Sequence, residues 1–580
     1  MLNRSAVYHR PESEYAYVND KGGATLRLRV GKGEAARVDL YFGDPYYYEK
    51  RQDSRKWFWK AESLQMSKLL TTEDFDYFEC HVSMVTKRLD YLFVLTDLQG
   101  EKLIAADKGL FDFDQKLLSK THFAFRLPFF HEVDRCKIPN WAAKTVWYQI
   151  FPERFANGDR SNDPKNCKTW NSLQSPLPED RFGGDLQGVI DHLDHLTALG
   201  INGIYFTPIF RAPSNHKYDT ENYYEIDPDF GDLSTFKNLV KEAHKRGMKI
   251  MLDAVFNHIG SNSPQWQDVL KHQQQSRYAD WFHVNEWPAR YVETDNYPLA
   301  TYATFAYVPY MPKLNTSNPE VQEYLLSIAE YWIRECDIDA WRLDVADEVD
   351  HQFWKLFRKR CDALKKDFYI IGEVWQTAQS WLNGDEFSGV MNYATTLVLL
   401  EGLVKKQISP EEMISEINHQ LMLYRRTTWP AMFNTLDSHD TARTLFECGE
   451  DKDLMKQVEV MNFLQPGAPC IFYGDEVGMT GGEEPDCRRP MVWDETQQDQ
   501  NMFEFFQQLI HFRRSNSELL SSADLVWDFG AHFIKLCRGN LTAIFNIGNE
   551  NLSFTAQNVL LTNSATDSII MPKGFVIYNN

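Results

Sequence analysis

Ile338-Asp339-Ala340-Trp341-Arg342-Leu343-Asp344 decides the architecture. The apolar run from Ile338 to Leu343 reads as a buried strand, and the carboxylate of Asp344 stands where that strand gives way to a loop. The pattern recurs twice. Phe368 to Ile371 leads into Gly372-Glu373, and Ala431 to Leu436 leads into Asp437-Ser438-His439-Asp440. If the three strands are parallel neighbours in one closed barrel, the three acids meet at its C-terminal rim, where barrels of this kind carry their active sites. Acids facing one cleft repel one another, and chemistry is the usual reason to hold them there.

Outward from these strands, the chain alternates strand and helix. Val146–Phe151 reads as a strand. Leu186, Val189, Ile190, Leu193, Leu196 and Leu199 then fall on one helical face, with Gly200 where a helix C′ glycine belongs. Ile201–Phe206 is the next strand. A helix bearing Phe236, Leu239, Val240 and Ala243 ends at Gly247, before the strand Lys249–Val255. Gly389–Asn392 and Cys470–Gly474 complete a set whose number favours an α/β fold, a (β/α)8 TIM barrel. The roughly 80 residues between Val255 and Ile338 far exceed what a βα loop needs. They predict an inserted subdomain after strand 3, about 259–320, over the barrel mouth. Before the barrel (126–514), residues 1–125 alternate with a period of two, as in Thr25–Val30 and Arg37–Phe42, and predict an N-terminal β-sandwich. After it, 515–580 predict a C-terminal antiparallel β domain, from runs such as His532–Leu536 and Leu541–Phe545.

Composition excludes several functions. A formal charge of −21 over 580 residues opposes a nucleic-acid scaffold, which needs a basic face. No apolar run approaches the roughly 20 residues of a membrane span, and Met1–Glu14 lacks the apolar core of a secretion signal. Nine cysteines without a CxxC pair argue against disulfides or zinc, so a cytoplasmic protein is expected. Aromatics make up 14% of the chain; rings serve cores, and exposed ones also stack on the flat faces of sugars.

Glycoside cleavage needs one group to protonate the leaving oxygen and one carboxylate to catch the oxocarbenium-like centre. Asp344 is assigned as nucleophile and Glu373 as acid/base. Arg342, two residues before Asp344, points to the same face and holds it ionised. Asp440, beside His439, is placed to bind sugar hydroxyls. Asn157, Asp159, Asn162 and Asp163, followed by Gly183 and Asp185, form a second constellation. Such oxygens suit Ca2+, and the same residues equally favour a plain Asx-rich turn.

The stretches Asp253-Ala-Val-Phe-Asn257-His258, Trp341-Arg342-Leu-Asp344, Gly372-Glu373-Val-Trp375 and Leu436-Asp437-Ser-His439-Asp440 resemble, in order, the four motifs of the alpha-amylase family, glycoside hydrolase family 13. Met311-Pro312-Lys313-Leu314-Asn315 is similar to the signature of its neopullulanase, cyclomaltodextrinase and maltogenic amylase subgroup. The N-terminal sandwich resembles a family 34 carbohydrate-binding module. The resemblance implies a retaining hydrolase of α-1,4-glucosidic bonds in cyclodextrins, maltodextrins and pullulan, with the two catalytic carboxyls about 5–5.5 Å apart. It implies that Asp440 stabilises the transition state, that Tyr218 stacks under the sugar ring, and that His258 and His439 bind its hydroxyls. Trp375 would line the leaving-sugar site. It further implies that the six residues from Asn157 to Asp185 hold a structural Ca2+, the Gly183 carbonyl included, and that the chain forms a homodimer through the N-terminal domain. Ala340, Asp347 and Gln376 depart from the residues common in relatives. Transfer to another sugar therefore stands as the alternative to hydrolysis, with a non-catalytic glucan-binding protein as a remote rival.

Overall fold

The computed structural model describes residues 2–50, 57–292, 294 and 299–580. Residues 293 and 295–298 of the expected insertion lie outside the described residues. Eight parallel strands form the central sheet: β1 (Trp147–Ile150), β2 (Gly203–Phe206), β3 (Lys249–Ala254), β4 (Ala340–Leu343), β5 (Tyr369–Gly372), β6 (Gly389–Val390), β7 (Phe433–Thr435) and β8 (Ala468–Phe472). Hydrogen bonding runs β6-β5-β4-β3-β2-β1-β8-β7. A parallel bridge from Met391 to Phe433, with the Asn392 N–H donating to the Phe433 carbonyl at 2.8 Å, joins β6 to β7 and closes the barrel.

Period-two alternation divides each strand between two surroundings. In β4, Trp341 and Leu343 face the helical layer, while Ala340 packs in the barrel interior with Trp147, Tyr205, Met251, Tyr369 and Phe433. Arg342, two residues past Ala340, stands on the interior face one layer nearer the C-terminal rim. Asp253 bears the same relation to Met251 in β3, as does Gln149 to Trp147 in β1. The barrel is thus apolar below and polar above, and the polar layer floors the site.

Two helical expectations change. The face expected to run from Leu186 to Leu199 is broken into Leu186–Asp191 and Leu193–Leu199 at His192, whose Nδ1 lies 2.8 Å from the Gly188 carbonyl. This side-chain bond competes with the helix's own ladder. Gly200 caps the second piece at φ +96°, as its position predicts. Between β5 and β6 the helix is reduced to one 3-10 turn, Gln379–Trp381, before the turn-forming Asn383-Gly384-Asp385.

The segment after β3 contains the helix Pro264–His272 and then doubles back on itself. Bridges pair Val284 with Tyr302, Thr304 with Pro312, Phe282 with Leu314, and His258 with Lys313. Trp266 seals it, with ring centroids 4.7 Å from Phe282 and 4.5 Å from Tyr302. The N-terminal region is a sandwich of two antiparallel sheets around Leu26, Leu28, Val38, Leu40, Tyr91 and Phe93. It joins the barrel through buried Arg27, which pairs with Glu79 at 3.0 Å and donates to the Met422 carbonyl. Of the aromatic residues 46–48, 57 and 59, Trp59 is core, while Tyr46, Tyr47 and Trp57 are exposed. The C-terminal region is a six-stranded antiparallel sheet; its strands Val526–Gly530 and Val559–Ala565 have too few buried positions to show in the pattern.

Candidate active site

Arg342 is fully buried and organises the site. Its Nη1 donates to both oxygens of Asp253 (2.9 and 3.0 Å) and to Asp344 Oδ1 (2.7 Å). Its Nη2 lies 3.0 Å from Glu373 Oε2, an ion-pair distance without the alignment of a hydrogen bond. The acids at the ends of β4 and β5 therefore sit side by side on one guanidinium. Glu373 is fixed further, Oε2 accepting from the Val345 N–H (2.9 Å) and Oε1 from Trp375 Nε1 (3.2 Å). Val345 adopts φ +46°, ψ +47°, a left-handed conformation that is costly for a β-branched residue. That turn aims its N–H at Glu373.

One guanidinium faces three buried carboxyls. Burial raises Asp253 to about 6, against the pull of Arg342. Burial likewise pushes Asp344 up; Arg342 draws it down, and the charges of Glu373 and Asp253 add to the rise. The cluster consequently retains a proton at pH values where free carboxyls have lost theirs. Asp344 Oδ2 has no partner among the described residues.

Asp440, on the loop after β7, completes the trio. Its Oδ1 lies 3.3 Å from Arg488 Nη2, and its Oδ2 lies 3.2 Å from His439 Nε2. A cavity of about 450 Å³ is lined by Asp344, Glu373, Asp440, Tyr218, His258 and Trp375, with Phe305 and Met311 of the inserted segment. His439 and Arg342 are fully buried behind this lining. The His439 ring stacks on Tyr218 (5.4 Å, 4°), with its Nε2 2.5 Å from the Tyr218 hydroxyl and its Nδ1 2.6 Å from Gln149 Nε2. His258 stacks on Phe305 (5.1 Å, 14°) and its Nε2 meets the Tyr218 carbonyl at 3.1 Å. Burial lowers His258 to about 3 and holds His439 well below the usual histidine range, so both are neutral near pH 7. Trp375, half exposed, lies flat on Tyr393 at 3.8 Å.

Several lining or supporting residues escaped the sequence reading. His216, Glu484, Arg488 and Phe305 line the cavity from distant loops and share no spacing pattern with the carboxylates. Lys313, within Met311–Asn315, has no spacing pattern of its own. It donates to Asn257 Oδ1, to the Glu348 carbonyl (3.0 Å) and to Glu348 Oε2 (3.0 Å), and so ties the inserted segment to the loop after β4.

The second constellation is also assembled. Asn157 Nδ2 donates to Asp163 Oδ1 (2.6 Å), and Gly183, at φ +78°, packs so close that a Cβ would lie 2.5 Å from that oxygen. Asp185 caps the helix Leu186–Asp191 and takes four N–H donors, from Gly158, Asp159, Asn162 and Gly188. Asn157 Oδ1 and Asn162 Oδ1 are buried without a partner among the described residues. No group of three His, Cys, Asp or Glu among the described residues is arranged for a metal. The donors here are mixed amide and carboxylate oxygens, which fit calcium and not zinc.

A closed parallel barrel whose rim gathers three acids around one arginine and a ring-lined cleft defines a glycosidase. The alpha-amylase catalytic-domain model matches residues 149–519, the alpha-amylase N-terminal ig-like domain model matches 1–131, and the chain belongs to the alpha-amylase family. It is 46% identical over 576 residues to the intracellular maltogenic amylase of Bacillus subtilis, covering 98% of this chain and 95% of that one. It is 42% identical over 515 residues to neopullulanase 2 of Thermoactinomyces vulgaris, covering 89% and 85%. A solved cyclomaltodextrinase superposes with a TM-score of 0.88 at 40% identity, over 99% of this chain and 100% of that one.

Proposed function

We propose that this chain is a retaining hydrolase that opens cyclodextrins and cuts α-1,4-glucosidic bonds of maltodextrins and pullulan, releasing maltose or panose. The observation that carries the reading is the single guanidinium of Arg342 behind Asp344 and Glu373, the two carboxylates that line the cavity side by side. Asp344 attacks the anomeric carbon and forms a covalent glycosyl-enzyme as Glu373 protonates the departing oxygen. Glu373 then takes a proton from water, which displaces Asp344 and restores the original anomeric configuration. Asp440 accepts hydrogen bonds from ring hydroxyls as positive charge develops. Tyr218 gives the bound ring an aromatic wall, neutral His258 bonds its hydroxyls, and His439 holds Tyr218 and Asp440 in place. Trp375 receives the leaving sugar.

Asp347 and Gln376 line the same cavity, so the balance between water and a sugar as acceptor is set there. A structural Ca2+ held by Asn157, Asp159, Asn162, Asp163, the Gly183 carbonyl and Asp185 would tie the loop after β1 to the helix before β2; the two orphaned amide oxygens support it. The exposed rings of Tyr46, Tyr47 and Trp57 support a dimer through the N-terminal domain, which sedimentation velocity tests. Nine free cysteines and the relative named intracellular support a cytoplasmic location.

Glu373→Gln tests the core of the reading. It should abolish most turnover of β-cyclodextrin while preserving its binding. Unchanged turnover would overturn the assignment, and a wild-type protein that binds without turnover would leave a binding module.

A further inference from the structure

Gln149 lies beneath the site on the polar face of β1, 1% exposed, behind the residues that line the cavity. The proposed mechanism gives it no part. Its Nε2 is 2.6 Å from His439 Nδ1, and its Oε1 is buried without a partner among the described residues. The far end of the same hydrogen-bonded chain dictates which way the protons point. Asp253 Oδ2 accepts from the Tyr205 hydroxyl (2.8 Å) and from Arg342 Nη1 (3.0 Å), and the Tyr218 hydroxyl donates to it at 3.1 Å. A tyrosine has one hydroxyl proton, and here Asp253 takes it. His439 Nε2, 2.5 Å from the Tyr218 hydroxyl, therefore supplies the proton of that bond. A neutral imidazole carries one N–H, so Nδ1 is an acceptor, and the Gln149 amide meets it with its donor end.

The direction matters because His439 Nε2 also lies 3.2 Å from Asp440 Oδ2. With its proton on Nε2 the ring attracts that carboxylate. With the proton on Nδ1 it would set a lone pair against it. Movement of the residue offers little relief: Arg488 Nε (2.7 Å) and Cys487 Sγ (3.5 Å) hold the His439 carbonyl, and the ring lies parallel to Tyr218. Besides Tyr218, Asp253 and Asp440, the charged and titratable groups facing the ring are Arg488, Arg342, Glu373 and His216. Burial first, then Arg488 and Arg342, keep it neutral against the pull of Glu373.

We propose that Gln149 is a positioning residue: by donating to His439 Nδ1 it keeps the ring N–H on Nε2, and so holds Tyr218 and Asp440 in place for the substrate. The inference rests on the function proposed above. Gln149, His439 and Tyr218 then form one file of donors that ends on Asp253 and the guanidinium of Arg342. Without its first member, Nδ1 is a buried acceptor with no donor, and the ring loses its reason to keep the proton on Nε2.

Gln149→Met keeps the length of the side chain and removes the donor, whereas Gln149→Glu puts an acceptor in its place. For Gln149→Met, kcat on β-cyclodextrin should fall on the order of a hundredfold, as when a catalytic group is displaced by about 1 Å, with KM little changed. In Gln149→Glu the new carboxylate takes the Nδ1 proton, so Nε2 carries an N–H only in the imidazolium form. Its kcat relative to wild type should therefore rise as pH falls through the His439 pKa, which the carboxylate raises. The same ratio for Gln149→Met should stay level. Nitrogen NMR of wild type labelled at histidine reads the tautomer directly, the His439 signal being the one missing from His439→Gln. The proton should be on Nε2. A proton on Nδ1 in wild type, a Gln149→Met enzyme as fast as wild type, or a Gln149→Glu ratio that ignores pH overturns the inference. If wild type turns over no α-glucan, the functional reading fails, and the tautomer still decides whether Gln149 orders the protons of the chain.

Discussion

Replacing Arg342 by Met removes the guanidinium that contacts three buried carboxyls and leaves a side chain of similar length. Arg342 Nη1 lies 2.7 Å from Asp344 Oδ1, and the guanidinium is fully buried. Unit charges about 4 Å apart, at an effective dielectric constant of about 20, attract by about 4 kcal/mol. At about 1.36 kcal/mol per pH unit, losing that attraction raises Asp344 by roughly three units. The nucleophile acts only when ionised, so activity disappears as pH falls through its pKa. A raised pKa therefore moves the acid limb of kcat to higher pH by about that amount, and on that limb turnover falls about tenfold for each unit of the shift. The assay is the pH–rate profile for β-cyclodextrin, with thermal unfolding run in parallel, because removing one partner of a buried ion pair also costs about 3–5 kcal/mol of stability. Arg342→Lys keeps a charge, loses the two-pronged contact, and should fall between the two. An Arg342→Met protein that folds and keeps its acid limb where wild type has it would refute the electrostatic role of Arg342.

Histidine ionisation should leave sugar binding untouched: with Glu373→Gln as a non-hydrolysing binder, the Kd for β-cyclodextrin stays level from pH 5 to 8. Burial has lowered His258 to about 3, so it charges only as pH falls toward that value; a binding transition centred near 6.5 would contradict this. Calcium should stabilise the fold. At a concentration about 100 times its Kd a ligand adds about 2.7 kcal/mol, enough to raise Tm by a few degrees, and chelation should reverse it. Gly183→Ala, which forces a Cβ against Asp163 Oδ1 at a positive φ, should lower Tm and abolish that calcium response. A Tm indifferent to calcium in wild type would remove the metal from the account.

The barrel was legible because its strands are short apolar runs, each ended by a polar or glycine turn at the rim. Their limits were not. The run Ile338–Leu343 contracts to Ala340–Leu343, because the ladder with β3 begins only at Met251 and Ala340. Between β5 and β6 a compact loop, held by the Phe387 N–H donating to the Trp381 carbonyl (3.2 Å), stands where the strand–helix alternation calls for a helix. The three carboxylates that the fold brings into one cavity were readable from strand ends alone. Tyr218 and the histidines needed the family motifs, because a lone ring or imidazole has no periodic signature. His216, Glu484 and Arg488 were not readable at all. They reach the cavity from loops far apart in the chain, and only the closed barrel brings them together.

The stereochemistry of the first product tests the central claim most directly. Proton NMR of the reaction mixture, recorded before mutarotation equilibrates the new reducing end, should show the α-anomer accumulating first. That is the outcome of double displacement through Asp344 with Glu373 as acid and then base. Initial release of the β-anomer would mean a single displacement by water, and the roles given to the two carboxyls on Arg342 would be wrong.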